Sequence, residues 1–442
     1  MKKHFLLWLM VAALVASACG PAATPTAAPA TSAPVQPTVA PTEVPQPTAT
    51  AEPQPVTITY FTFSAAPDHL KDLDAMIAAF NKVHPEITVK VETAPYDDYF
   101  TKLQTLVAGG TAPDVFELNY ENFVSYASKG VLLDLTPVIK ADSSFDSAVY
   151  YPRAYEAFQY RGAQYGLSET FSNVVLFYNK DMFDAAGLAY PNEKWTWNDA
   201  IAAAEKLTDP AKGQWGLFKP IQFWEFYKTI QQNGCSFFNE DQTQVTVNDP
   251  KCVEALQMMV DLQKKYHVMP TDAEMGGVSD GDLFKSGKLG MLVSGIWMFA
   301  AFKDAPFNWD IAVEPGMAQK ATHFFSNAVV ISKDTPNAQA AYEWAKFFTT
   351  SAEVATIRVK SGWELPALNN PDLFKSYLEQ TPPANRKAVF DSLNYLVVPP
   401  VIERQNEMQD KVNQLLDKVK LGELTPQEAL DQAKTEIEAL LK

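Results

Sequence analysis

Apolar and polar positions first repeat every second residue and then every third or fourth. Val56-Thr57-Ile58-Thr59-Tyr60-Phe61 alternates, as a strand with one buried face does. Leu70, Leu73, Met76, Ile77, Phe80 and Val83 then fall on one face of a helix. Ile87 to Val91 predicts a second strand and Tyr99 to Val107 a second helix, which Gly109-Gly110 ends. Ala112-Pro113-Asp114-Val115-Phe116-Glu117-Leu118 predicts a third strand. Strand–helix–strand at this spacing implies a parallel sheet with helices on both faces. Later helices carry start signals: Asp249-Pro250, Thr335-Pro336, and Thr425-Pro426 with Glu428, which reads as a capping box; Gly422 ends the helix before the last. No tandem repeat appears, and no Pro-rich linker follows residue 55. Two lobes would therefore be joined by strands that cross between them.

The first residues depart from this pattern. Met1-Lys2-Lys3-His4 is a basic start, and the run from Phe5 to Val15 is apolar but too short to span a bilayer stably. Residues 1–18 are expected to be a secretory signal. Ala16-Ser17-Ala18-Cys19-Gly20 resembles the lipobox of bacterial lipoproteins, with Ala16 where that motif more often has Leu. Cys19 is then expected to carry the lipid. Residues 19–55, nearly all Pro, Ala, Thr, Val and Gln beyond the cysteine, read as a disordered tether that would reach roughly 100 Å when extended.

Charge narrows the partners. A net charge of −16 argues against nucleic acid or anionic lipid as a binding surface. With Cys19 lipidated, Cys235 and Cys252 remain. A hairpin-like stretch between them can bring its two ends together, so a disulfide is expected in an exported chain, two buried thiols being the alternative.

The segment Tyr178-Asn179-Lys180-Asp181-Met182-Phe183-Asp184-Ala185-Ala186-Gly187-Leu188, followed by Trp195-Thr196-Trp197-Asn198-Asp199, is similar to the signature of extracellular solute-binding protein family 1. Ala112 to Phe116, Lys129 to Thr136, Gln232-Asn233-Gly234, Phe284 to Met291 leading into Ser294-Gly295-Ile296-Trp297, and Leu421 to Leu430 match in order. The resemblance spans nearly all of 56–442. It implies an α/β, two-lobed, type II periplasmic-binding-protein-like fold whose lobes are joined by crossing hinge strands. The lobes are expected at 56–168 plus about 327–360, and at about 169–326 plus 361–442. The implied function is a monomeric lipoprotein, anchored to the outer face of the membrane, that delivers a carbohydrate to the permease subunits of an ABC importer. No cofactor and no metal are implied.

Sugars present C–H faces that stack on aromatic rings and hydroxyls that pair with carboxylates and amides, so a sugar site needs both. The resemblance puts a stacking ring at Trp297 and crossings near Glu169 and Phe171, near Phe324, and near Trp363. Trp224 is a further aromatic candidate. Asn119, Tyr120 and Glu121 follow the third strand at its carboxyl end, where ligands of open α/β sheets bind. Phe63 ends the first strand, where many relatives have a Trp. Trp195, Trp197 and Trp344 are expected to pack.

Enzyme readings are weak. Gly277-Val278-Ser279-Asp280-Gly281 matches G-x-S-x-G, but no strand precedes it, as a nucleophile elbow needs. Gly281 to Lys288 is one residue too long for a phosphate loop. Five histidines, none paired at i, i+4, offer no zinc site. A binding protein for another solute (glycerol phosphate, polyamine, peptide) and, less so, a surface glycosidase remain as alternatives.

Overall fold

The computed structural model describes residues 55–362 and 364–441. The export segment, Cys19, the tether up to residue 54 and Trp363 lie outside the described residues. Three β/α units begin the fold: β1 (Val56–Thr62), α1 (Pro67–Val83), β2 (Ile87–Thr93), α2 (Tyr96–Ala108), β3 (Val115–Asn119) and α3 (Tyr120–Ser128). Both β2 and β3 pair in parallel with β1. Pro67 opens α1 without losing a hydrogen bond, and Leu73, Met76 and Phe80 turn to the sheet. Three later strands join this sheet antiparallel: β4 (Gly166–Ser172), β9 (Phe325–Ile331) and β10 (Leu365–Pro366). The strand order is β10-β4-β9-β3-β1-β2. The sheet is thus mixed, not parallel throughout.

A second, four-stranded sheet contains β5 (Val174–Asn179), β6 (Trp215–Phe218), β7 (Leu289–Gly295) and β8 (Trp309–Ala312), in the order β8-β5-β7-β6. It is covered by α4 (Trp197–Leu207), α5 (Phe223–Gln232), α6 (Pro250–Lys264), α9 (Gln405–Leu421) and α10 (Pro426–Leu440), whose apolar faces share one core. Caps fall where the sequence signals stand: Thr196 with Asp199 on α4, Asp249 on α6, Thr425 with Glu428 on α10. Asn179 caps the helix after β5, accepting from the Met182 N–H at 3.1 Å. The helices α7 (Ala338–Thr350) and α8 (Ala352–Ser361) return to the first sheet, where Trp344 is wholly buried.

The chain changes sheets at three places. Asn173 alone separates β4 from β5; it is fully buried and its amide donates to the Val389 carbonyl at 2.8 Å. Residues 313–324 lead from β8 to β9, and the third passage follows Pro366. The first change falls beyond residue 168, the second before 326 and the third beyond 360, the boundaries expected from the sequence. The reason is the ladder itself: Ser172 and Phe171 pair with Phe325 and Ser326, and Leu365 pairs with Phe171, so these residues all belong to the first sheet. Cys235 and Cys252 form a disulfide, their Cα atoms 5.5 Å apart. Between them the chain does turn as a hairpin, with Phe238 bridged to Val245.

Candidate functional site

Strand β7 ends at Gly295, and a single helical turn, Ile296–Met298, follows. Ile296 is buried in the core, so Trp297 is carried back over the strand end. Its ring lies on Gly295 so closely that a Cβ there would fall 2.0 Å from Cζ3. Trp224 stands on the first turn of α5, and its Nε1–H donates to the Gln222 Oε1 at 2.8 Å. With the indole N–H satisfied, the ring faces remain for apolar contact. Phe325, the first residue of β9, links the two: its centroid is 5.9 Å from Trp297 and 6.4 Å from Trp224. It stacks on His323 at 4.6 Å with an interplanar angle of 8°.

Trp224 and Trp297 border a cavity of about 560 Å³, whose walls also include Phe218, Gln222, Asp280 and Met298. That volume lies within the usual range of small-molecule sites, roughly 300–1,000 Å³. Aromatic faces with a few polar groups suit a polyol that has apolar faces of its own.

Beneath the platform lies a buried ion cluster. Lys219 and Lys228 each meet both Glu225 and Glu314, with Lys219 3.2 Å from Glu314. All four side chains are essentially inaccessible, and their charges balance. Burial pushes the Glu225 carboxyl up, but the two lysines more than offset it and hold it below the usual range. His323 lies 3.4 Å from Glu225 and 2.9 Å from the Tyr227 hydroxyl; burial lowers it to about 4, so it is neutral at physiological pH.

The other sequence candidates have different surroundings. Glu169 does not face the cavity: it is 3% exposed and pairs with Arg358, which lies 3.9 Å from Glu364. Asn327 donates to Glu364 at 3.1 Å, so this cluster binds β4, β9, α8 and the approach to β10 together. Glu117 lies near it, accepting from Thr62 at 2.5 Å. With three carboxylates and one guanidinium, burial keeps Glu117 high and pushes Glu364 up to about 7. Phe171 packs between Tyr151 and Phe374 in the core. Phe63 sits among Tyr96, Tyr99 and Phe100. Asn119 caps α3, accepting from the Asn122 N–H at 3.2 Å and its side-chain amide at 2.8 Å. Tyr120 meets Phe324 edge-on at 5.9 Å, so Phe324 faces the first sheet's side and not the cavity. Glu121 is 5% exposed, and burial raises it to about 7. Ser279 of the G-x-S-x-G match caps the helix Asp280–Lys285, accepting from the Asp282 N–H at 3.0 Å, which is not the setting of a nucleophile.

Sequence reasoning thus missed Phe325. The two rings go to different neighbours at the start of β9, Phe324 to Tyr120 and Phe325 to Trp224 and Trp297. It also missed Gln222 and Asp280, which only the folded loops bring to the cavity.

The family profile of the bacterial extracellular solute-binding proteins matches residues 66–355. The chain belongs to this family. This solute-binding protein is similar to an ABC substrate-binding protein from Listeria monocytogenes, solved in complex with cycloalternan. The two are 48% identical with a TM-score of 0.86, over 88% of this chain and 99% of that one. It is also 26% identical to the galactooligosaccharide-binding protein of Bacillus subtilis (strain 168), over 81% of this chain and 83% of the relative. The maltotriose-binding protein of Pyrococcus abyssi is 23% identical over 65% of this chain, and the match spans 61% of that protein's length. The fold is therefore the two-lobed type II periplasmic-binding-protein fold, and the family is one of substrate-binding proteins, not enzymes.

Proposed function

We propose that this chain is the substrate-binding component of an ABC importer and that its cargo is an oligosaccharide. The observation that carries the reading is the cavity of about 560 Å³ bounded by Trp224 and Trp297, whose rings Phe325 packs against. Stacked rings bind the C–H faces of a sugar, and the polar side chains at the wall take its hydroxyls. The likeness to the Listeria protein makes cycloalternan the first ligand to try. Closure of the two lobes about the three crossings would enclose the cargo and present a composite surface to the permease. No covalent step is needed.

A thermal-shift screen of the full chain tests the class, because a ligand that binds only the folded state raises the melting temperature. Cycloalternan, maltotriose or another oligosaccharide is expected to raise it, without turnover of the sugar. A shift with spermidine, glycerol 3-phosphate or a peptide, and with no sugar, would overturn the carbohydrate reading. Trp297→Ala is expected to abolish the shift while leaving the unliganded melt unchanged.

The chain is read as exported, as its family is. A lipid on Cys19, with the rest of 19–55 as tether, would hold the monomer beside its permease and raise the effective concentration of delivered cargo. Cys19→Ala is expected to release the protein from the membrane fraction; retention there would exclude the anchor.

A further inference from the structure

The cavity wall holds a carboxylate with an unusual setting. After the short helix Asp272–Met275 the chain turns at Gly276 and Gly277, with φ of 60° and 85°. Ser279 then caps the next helix, whose first residue, Asp280, borders the cavity with Trp224 and Trp297. Gly281 lets this turn dock beside the platform: a Cβ there would lie 2.7 Å from the Met298 methyl. The carboxylate is therefore held against the same turn that carries Trp297.

Asp280 accepts from the Gly281 N–H at 2.9 Å, and among the described residues it forms no ion pair. Burial raises its carboxyl above the usual range. The cavity's one lysine, Lys420, is engaged by other carboxylates, 2.8 Å from Asp417 and 3.5 Å from Asp272, which also lines the cavity. The Gln222 carbonyl is engaged by Trp224, which leaves its amide N–H groups as donors. A desolvated carboxylate without a cation costs stability unless hydrogen-bond donors reach it. Neighbouring hydroxyls on a sugar ring are such donors.

We propose that Asp280 is the residue of this site that reads sugar hydroxyls, accepting from a ring stacked on the platform while Gln222 donates to another of its oxygens. The assignment rests on the carbohydrate reading above and sharpens it. The cargo must present adjacent hydroxyls beside its stacked face, and anionic solutes are rejected by charge.

Calorimetric titration of the full chain with cycloalternan and with maltotriose tests it. Asp280→Ala is expected to weaken binding of whichever probe the wild type binds by roughly 10- to 100-fold, the scale of a hydrogen bond to a charged group. The melting temperature of the unliganded protein is expected not to fall, since a carboxylate without a cation is removed. Asp280→Asn, which keeps the shape and one acceptor, is expected to lose less. Equal dissociation constants for wild type and Asp280→Ala overturn the assignment and leave the carbohydrate reading standing. A wild type that binds neither probe but binds spermidine, more weakly once Asp280 is replaced, makes the residue a cation ligand and overturns both.

Discussion

Gly295 sits directly under the Trp297 ring, and its backbone is ordinary extended chain, φ −86° and ψ 160°. Backbone freedom is therefore not what this position requires. What it requires is the absence of a side chain, since a Cβ would fall 2.0 Å from the indole. Gly295→Ala is expected to fold, to lift the ring from its seat, and to weaken oligosaccharide binding at least about tenfold. That loss follows from the worth of one aromatic contact, roughly 0.5–1.5 kcal/mol, added to the lost apolar burial. Calorimetry measures the affinity and near-ultraviolet circular dichroism the ring environment; an unchanged affinity would mean the glycine does not set the platform. Glu169 and Asn119 teach the converse at the same scale. Their residue types suit sugar binding, but Arg358 and the start of α3 already occupy them.

At the scale of elements, α5 does two jobs with adjacent residues. Trp224 faces the cavity, while Glu225 and Lys228, on its buried side, join Lys219 and Glu314 in the ion cluster. The helix is thereby bound to residues 313–324, the second passage between the sheets. Removing Lys228 leaves two buried carboxylates sharing one lysine. Lys228→Met is expected to cost about 3–5 kcal/mol, the usual penalty for an orphaned buried charge. Urea denaturation with an unchanged slope would measure this loss. A cost under about 1 kcal/mol would show that the cluster does not secure the helix.

Over the whole molecule buried titratable groups give stability a particular pH dependence. Glu364 and Glu121 are both pushed up to about 7 from 4.5, and Glu117 is raised as well. Between those values the native state holds protons that the unfolded chain releases, so stability falls as pH rises toward and past 7. His323 acts oppositely: lowered from 6.5 to about 4, it favours unfolding only as pH drops below 6.5. The melting temperature is therefore expected to rise from pH 8 to about pH 6.5. Glu364→Gln should flatten that rise, because it removes the proton exchange while keeping an acceptor for Asn327. A melt that is level or falls over the same interval, followed by scanning calorimetry, would contradict the assignment of buried neutral carboxylates.

The sequence by itself determined the local elements. The period-two run of β1, the amphipathic face of α1, the caps at Thr196, Asp249 and Thr425, and the ordered family blocks all depend on residues close together in the chain, so pattern alone exposes them. It also picked out Trp224 and Trp297, because a tryptophan beside a turn is visible without knowing the fold. Only the tertiary structure decided that Phe325 and not Phe324 joins them, since strand facing depends on the pairing of β9 with β4. It likewise decided that Glu169 is an interior ion partner and that Asp280 reaches the cavity. Those outcomes depend on which residues distant in the chain become neighbours, and burial and counter-charge are properties of neighbourhoods, not of residue types.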